Sequence, residues 1–304
     1  MKIGLIGINT LQQEEHFKII HQALGKNLHG IFSHSEEAIP ISTNYNIKLY
    51  KSSNELFEKV DAVYFANSVK PNFDFAINAL KKACHLFIEN ISMLSIEEVK
   101  QLYKVAFEAR TKIQLKLTKS FTPEYSEVRN FISDSKLIEI SNSFSKLLRL
   151  DDYFSEILNN LFFANQNIQS SIKKISPLAL PLDNSHFSLV QIRLDYDNGA
   201  VVNMKFNNIS KEDESTVTFH KKDEIIYIDF IKHYAIKHKI AEGQVVRQEF
   251  FITNETAFNT EMVNFIKSCK DIEMHNVSEH PAELKIIQST QEIKDRLIQM
   301  FHPI

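Results

Sequence analysis

Two short stretches hold the residue types with which this chain could do chemistry. The first is Gly7-Ile8-Asn9-Thr10-Leu11-Gln12, closing the apolar run that begins at Lys2. A glycine directly after a buried strand permits a tight turn that aims the next helix N-terminus, with its free amides, at an anion. The later glycines of such a loop are replaced here by Asn9 and Gln12. Asn9 tolerates positive φ better than most residues, so the turn survives, while its side chain intrudes where a pyrophosphate would sit. The second stretch is Cys84-His85-Leu86-Phe87-Ile88-Glu89-Asn90-Ile91, an apolar strand that ends on a carboxylate. Asn90 beside it can hydrogen-bond but cannot move a proton near neutral pH.

These residues need elements to position them. Residues 2–8 read as a strand buried on both faces, followed by a helix with Phe17, Ile20 and Leu24 as its apolar stripe. Further strands are expected at 28–33, 61–66, 85–89 and 113–117. Phe73, Ala76, Ile77 and Leu80 mark a helix between two of them, and Ser52–Glu55 and Ser95–Glu98 have capping-box spacing. Strands alternating with helices over residues 1–118 predict a parallel, doubly wound sheet. From 119 to 304 the pattern changes to long alternating segments at 137–147, 188–196, 200–206, 216–220 and 225–230. Asp197-Asn198-Gly199 marks a hairpin turn between two of them. An amphipathic segment at 153–163 interrupts the strands, and two helices finish the chain. The fold class is therefore α/β plus α+β: a Rossmann-type parallel sheet, then an open antiparallel sheet, with the last helices packing back on the first domain.

Composition excludes more than it selects. A net charge of −3 gives no bias toward nucleic acid or an anionic membrane. No apolar run approaches the roughly 20 residues that span a bilayer. The start of the chain shows no apolar signal core, so a cytoplasmic protein is expected. Cys84 and Cys269 suggest no disulfide framework. His16 with His21, His233 with His238, and His275 with His280 stand at i, i+5, not the i, i+4 that places two ligands on one helical face, so no metal site is expected. Six glycines in 304 residues, against an average of about 7%, leave no loop with several glycines at close spacing.

The order of elements, with Lys2-Ile3-Gly4-Leu5-Ile6-Gly7, Asp61-Ala62-Val63 through Ala66-Asn67, Ala79-Leu80-Lys81-Lys82-Ala83-Cys84-His85, Glu89 and Ser120-Phe121-Thr122-Pro123, resembles the Gfo/Idh/MocA oxidoreductases. The resemblance covers essentially the whole chain. It implies NAD or NADP as cofactor, held by Gly7, Ile8, Asn9, Ser33, His34, Asn67 and Glu89. NADP is slightly favoured, because Phe32-Ser33-His34-Ser35 lacks the acid that NAD-preferring relatives place after the second strand. A surface loop that binds nothing explains Ser33 and His34 equally well. The resemblance also implies a sugar-like or polyol substrate and association of copies through the antiparallel sheet.

The chain departs from the family at its chemical centre. Asn90 stands where relatives carry the lysine that assists proton transfer. The stretch from Asp151 to Asn160, which should hold an Asp-x-x-x-His element, contains no histidine. Lys70, Lys119 and Tyr153 are candidate substitutes; an exposed lysine or a packed aromatic is the bland alternative for each. Two readings stay open: an oxidoreductase with altered proton-transfer residues, or a relative without catalysis or cofactor that works as a ligand-binding or interaction subunit.

Overall fold

The computed structural model describes residues 1–8, 13–36, 38–66, 73–92, 94–252, 256–270 and 282–301. The chain divides into two compact units, one of residues 1–116 with 258–284, the other of 117–257 with 285–304.

The first unit is built on a six-stranded sheet. Its strands are β1 (Ile3–Ile6), β2 (Leu28–Phe32), β3 (Leu49–Tyr50), β4 (Ala62–Phe65), β5 (His85–Ile88) and β6 (Ile113–Leu115), in the order β3-β2-β1-β4-β5-β6. Every pairing is parallel, which is the Rossmann arrangement with its order reversal between β1 and β4. All four residues of β1 and of β4 are buried, which is why those strands read as continuous apolar runs rather than alternating ones. Helix α1 (Glu14–Leu24) buries Phe17, Ile20 and Leu24. Two elements escaped sequence reading: α2 (Ala38–Asn44), which contains Pro40, and the two-residue strand β3. Helix α3 (Ser53–Phe57) starts where Ser52 accepts from the Glu55 amide at 3.2 Å. Helices α4 (Phe73–Lys81) and α5 (Ile96–Ala109) follow, the latter with the complete Ser95–Glu98 capping box. Phe258, Met262, Phe265 and Cys269 of α8 (Ala257–Lys270) join the core that contains Phe17, Tyr64 and Phe87.

In the second unit a short 3-10 turn (Thr118–Phe121) and α6 (Pro123–Val128) precede an eight-stranded sheet. Its strands are β7 (Leu137–Ser143), β8 (Ile172–Pro181), β9 (Phe187–Tyr196), β10 (Val201–Asn207), β11 (Glu214–His220), β12 (Glu224–Asp229), β13 (Tyr234–Ala241) and β14 (Gln244–Phe250). The order is β14-β13-β12-β11-β7-β10-β9-β8. The sheet is mostly antiparallel, as expected, with one departure: β10 runs parallel to β7. The long connection through α7 (Leu150–Asn167), β8 and β9 brings the chain back in the same direction, which a short hairpin cannot do. The Asp197–Gly199 turn joins β9 to β10 as expected. Strands β8, β13 and β14 were not foreseen. Two prolines interrupt β8, and β14 has no buried face to create an alternation. Helix α7 lies in the core, with Phe163 against Phe219 and Phe230, and Tyr153 against Phe187 and Phe206. Helix α9 (Ala282–Gln299) continues from the first unit into the second.

Candidate functional site

Glu89 in the first unit and Lys119 in the second each stand among polar side chains that the fold brings together. In the first unit β1 ends at Gly7, whose φ of 110° belongs to glycine. A Cβ there would lie 2.8 Å from the Ala66 carbonyl oxygen, so the turn and its closeness to β4 both require glycine. Ile8 is buried against the same core. Asn9, Asn67 and Lys70 lie outside the described residues. Helix α1 carries Glu14 and Glu15 in its first turn, charges that oppose an anion there.

Glu89 follows β5 and is buried. Tyr64, from the neighbouring strand β4, donates to Oε1, and the Lys116 ammonium donates to the same oxygen at 2.9 Å. His16 Nε2 lies 3.0 Å from Oε2. Burial pushes the Glu89 carboxyl up, but the His16 hydrogen bond, the Lys116 and His16 charges and the Tyr64 hydroxyl outweigh it and hold it down at about 2. Burial and the Glu89 charge push the Tyr64 phenol well above its usual value, so it remains a neutral donor. Tyr64 stacks on Phe87, and the Lys116 ammonium stands 5.3 Å from the Phe258 ring centroid. Glu89 is thus an ionised anchor with its oxygens engaged. Asn90, equally buried, accepts from the Ser92 amide at 2.9 Å and the Ser92 hydroxyl at 2.6 Å. It closes a turn.

At the end of β2, the Ser33 hydroxyl accepts from the Ser35 amide at 3.0 Å. His34 is exposed and stacks on Phe75 of α4, with centroids 5.6 Å apart and planes 24° apart. The described residues thus supply a glycine turn after β1 and a flat His34–Phe75 pair after β2, while the acidic first turn of α1 opposes an anion.

In the second unit Lys119 sits in the 3-10 turn. Its ammonium donates to Asn142 Oδ1 of β7 at 3.0 Å and to Asn160 Oδ1 of α7 at 2.7 Å, and lies 5.6 Å from the Phe230 ring centroid. Desolvation, only partly offset by Glu156, lowers its pKa to about 8. Asn160 is fixed in turn by donating to the Glu156 carbonyl at 2.7 Å. Asn142 also accepts from Ser215 at 3.0 Å, while its buried Nδ2 has no partner among the described residues. Tyr153 is a different case. It is buried among aromatics, donates to the Phe206 carbonyl at 3.3 Å, and burial raises its phenol far above the usual range.

Sequence reading did not identify His16, Tyr64 or Lys116 as partners of Glu89, nor Asn142 and Asn160 as partners of Lys119. Tyr64 left a signal, because a hydroxyl in a strand buried on both faces needs an acceptor. The asparagines left none. Among the described residues no group of three His, Cys, Asp or Glu side chains could hold a metal, and no helix is long and apolar enough to cross a membrane.

Residues 1–117 match the Gfo/Idh/MocA family model, described as an oxidoreductase family with an NAD-binding Rossmann fold. No curated protein matches the chain. Among solved structures, UDP-N-acetylglucosamine 3-dehydrogenase GnnA from Acidithiobacillus ferrooxidans superposes with a TM-score of 0.86 at 16% identity, covering 99% of each chain. A dehydrogenase (MviM) from Clostridium difficile gives 0.78 at 18%, again over 99% of each chain. A 3-ketoreductase from Actinomadura kijaniata, in complex with TDP-benzene and NADP, gives 0.77 at 12% over 97% of each. At such identities the likeness establishes a shared fold.

Proposed function

Because residues 1–117 match the oxidoreductase family with an NAD-binding Rossmann fold, we propose that this protein is an NAD(P)-dependent oxidoreductase acting on a sugar-like or polyol small molecule. The observation that carries the reading is Lys119, whose ammonium is held by two neutral asparagine oxygens at 3.0 and 2.7 Å, where desolvation lowers its pKa to about 8, beside an amide nitrogen with no partner among the described residues. A bound nicotinamide would supply the hydride chemistry. Lys119 as a neutral amine accepts the substrate hydroxyl proton in the oxidising direction and returns it in the reducing one. Asn142 Nδ2, which has no partner among the described residues, is a donor of the kind that a hydroxyl or carbonyl of the substrate would accept from.

The solved structures with this fold include a UDP-N-acetylglucosamine 3-dehydrogenase and a 3-ketoreductase in complex with TDP-benzene and NADP, in keeping with that substrate class. Ser33 and His34 favour NADP over NAD, with the His34–Phe75 pair as a stacking surface. The protein is assigned to the cytoplasm, with copies associating through the antiparallel sheet.

The non-catalytic reading has one specific observation in its favour: both Glu89 oxygens and Asn90 Oδ1 are engaged within the fold. One experiment separates the two. Thermal-shift measurements with millimolar NADH and NADPH are expected to show stabilisation, larger for NADPH. A panel of sugars, polyols and nucleotide sugars should then show turnover that Lys119→Met abolishes. No stabilisation by either nucleotide sinks the oxidoreductase reading.

A further inference from the structure

Strand β14 is the edge of the eight-stranded sheet, and all of its residues except Phe250 are exposed. Such an edge is usually blunted, because its unpaired amides and carbonyls template another strand. The opposite edge is blunted: β8 carries Pro177 and Pro181. Strand β14, Gln244-Val245-Val246-Arg247-Gln248-Glu249-Phe250, has no proline, glycine or lysine. Val245 is 72% exposed, Val246 51% and the following Phe251 88%.

The ladder fixes which groups are free. Ile240 of β13 donates to Asp223, on the β12 side, so its neighbours Lys239 and Ala241 bond toward β14. Their partners are Val246 and Gln244, across a two-residue turn with positive φ at Glu242 and Gly243. By alternation, the backbone groups of Val245, Arg247, Glu249 and Phe251 point away from the sheet.

The side chains on those four positions are ordered apolar, positive, negative, apolar about Gln248. We propose that β14 pairs antiparallel with β14 of a second copy of this chain, about a two-fold axis through Gln248. Within one chain Arg247 and Glu249 already pair with each other at 2.6 Å. That register also sets Arg247 opposite the partner's Glu249, making a four-charge cluster across the axis, and Val245 opposite the partner's Phe251, while Val246 meets the partner's Phe250. Centring the axis on Arg247 or on Glu249 would face like charges, which costs stability. The charges therefore favour this register over those two neighbours; it pairs all four free positions with one another, and the sheet becomes continuous across the axis. This contact does not depend on the oxidoreductase reading.

The test uses the full chain and light scattering with sedimentation. The wild type is expected to dimerise, and Arg247→Glu and Glu249→Arg, both exposed changes with unaltered circular dichroism, each to weaken dimerisation at least tenfold. Mixing the two variants one to one restores the dimer, because each now supplies the charge the other lacks. Gln248→Cys is expected to form a disulfide with itself across the axis under mild oxidation. A wild type that stays monomeric to about 100 μM, well above the range of specific association, overturns the proposal and leaves the edge to a different chain. Charge variants that dimerise unchanged, or a mixture that stays monomeric, overturn it as well.

Discussion

The Lys119 ammonium is held by the Asn160 side-chain oxygen at 2.7 Å, a neutral acceptor on α7 rather than a carboxylate. A neutral partner orients the amine without neutralising it, so desolvation wins and the pKa falls to about 8. In the oxidising direction kcat/KM should rise through about pH 8 and then level off as the free amine accumulates. Asn160→Ala removes an acceptor that favours the charged form, so the profile should move to lower pH by roughly one unit, the equivalent of one charge-assisted hydrogen bond. A profile that does not move removes Lys119 from proton transfer.

The same lysine should show itself in stability. Its folded pKa of about 8 lies below the usual 10.5, so between those values the unfolded chain binds more protons than the folded one. Stability from this group therefore rises with pH across that window, and its penalty is fully present below it. Comparing Lys119→Met with wild type by denaturant unfolding cancels other alkaline effects. The wild type should gain about 3 kcal/mol on the variant between pH 7 and pH 10.5.

Lys119 and Asn160 are 41 residues apart, and nothing in either neighbourhood announces the contact. What was legible was periodic: Phe17, Ile20 and Leu24 announced α1, the fully apolar β1 and β4 announced buried parallel strands, and Ser95–Glu98 announced a helix start. What was not legible lacked a period. Two residues cannot show one in β3, and β14 has no buried face to impose one. At the site, Gly7 and Glu89 could be placed from their position after a strand. The partners that set the charge of Glu89 arrive from α1, β4 and the end of β6, and only the fold brings them together.

Glu89 makes an acid-side prediction. Its folded pKa of about 2 lies below the usual 4.5, so its contribution is present above the unfolded value and lost as pH falls toward the folded one. Glu89→Gln should cost about 3 kcal/mol at pH 7, and the deficit should close between about pH 5 and pH 2. A deficit that does not depend on pH would show that packing around the side chain, not its charge, supplies the stability.

Gly7→Ala tests the turn. Alanine at φ 110° with a Cβ 2.8 Å from the Ala66 oxygen is strained twice, and about 2 kcal/mol of destabilisation is expected. The thermal shift given by NADPH in the wild type should also disappear. A variant of normal stability that still responds to the nucleotide would show that the turn is not used for binding.

Asn90→Lys introduces the lysine that the family resemblance leads one to expect after the glutamate, and the structure argues against any benefit. Asn90 is buried, and its oxygen takes both the amide and the hydroxyl of Ser92. Lysine offers no acceptor, so two donors lose their partner at about 1 kcal/mol each, and a buried ammonium adds a desolvation cost. The variant should unfold at lower denaturant, by at least about 2 kcal/mol, with turnover no higher than wild type. The Lys119 profile should be unchanged, because that lysine has its own acceptors in the second unit. A tenfold gain in turnover in a stably folded Asn90→Lys protein would place the proton-transfer position at residue 90 after all and reduce Lys119 to a buried structural lysine.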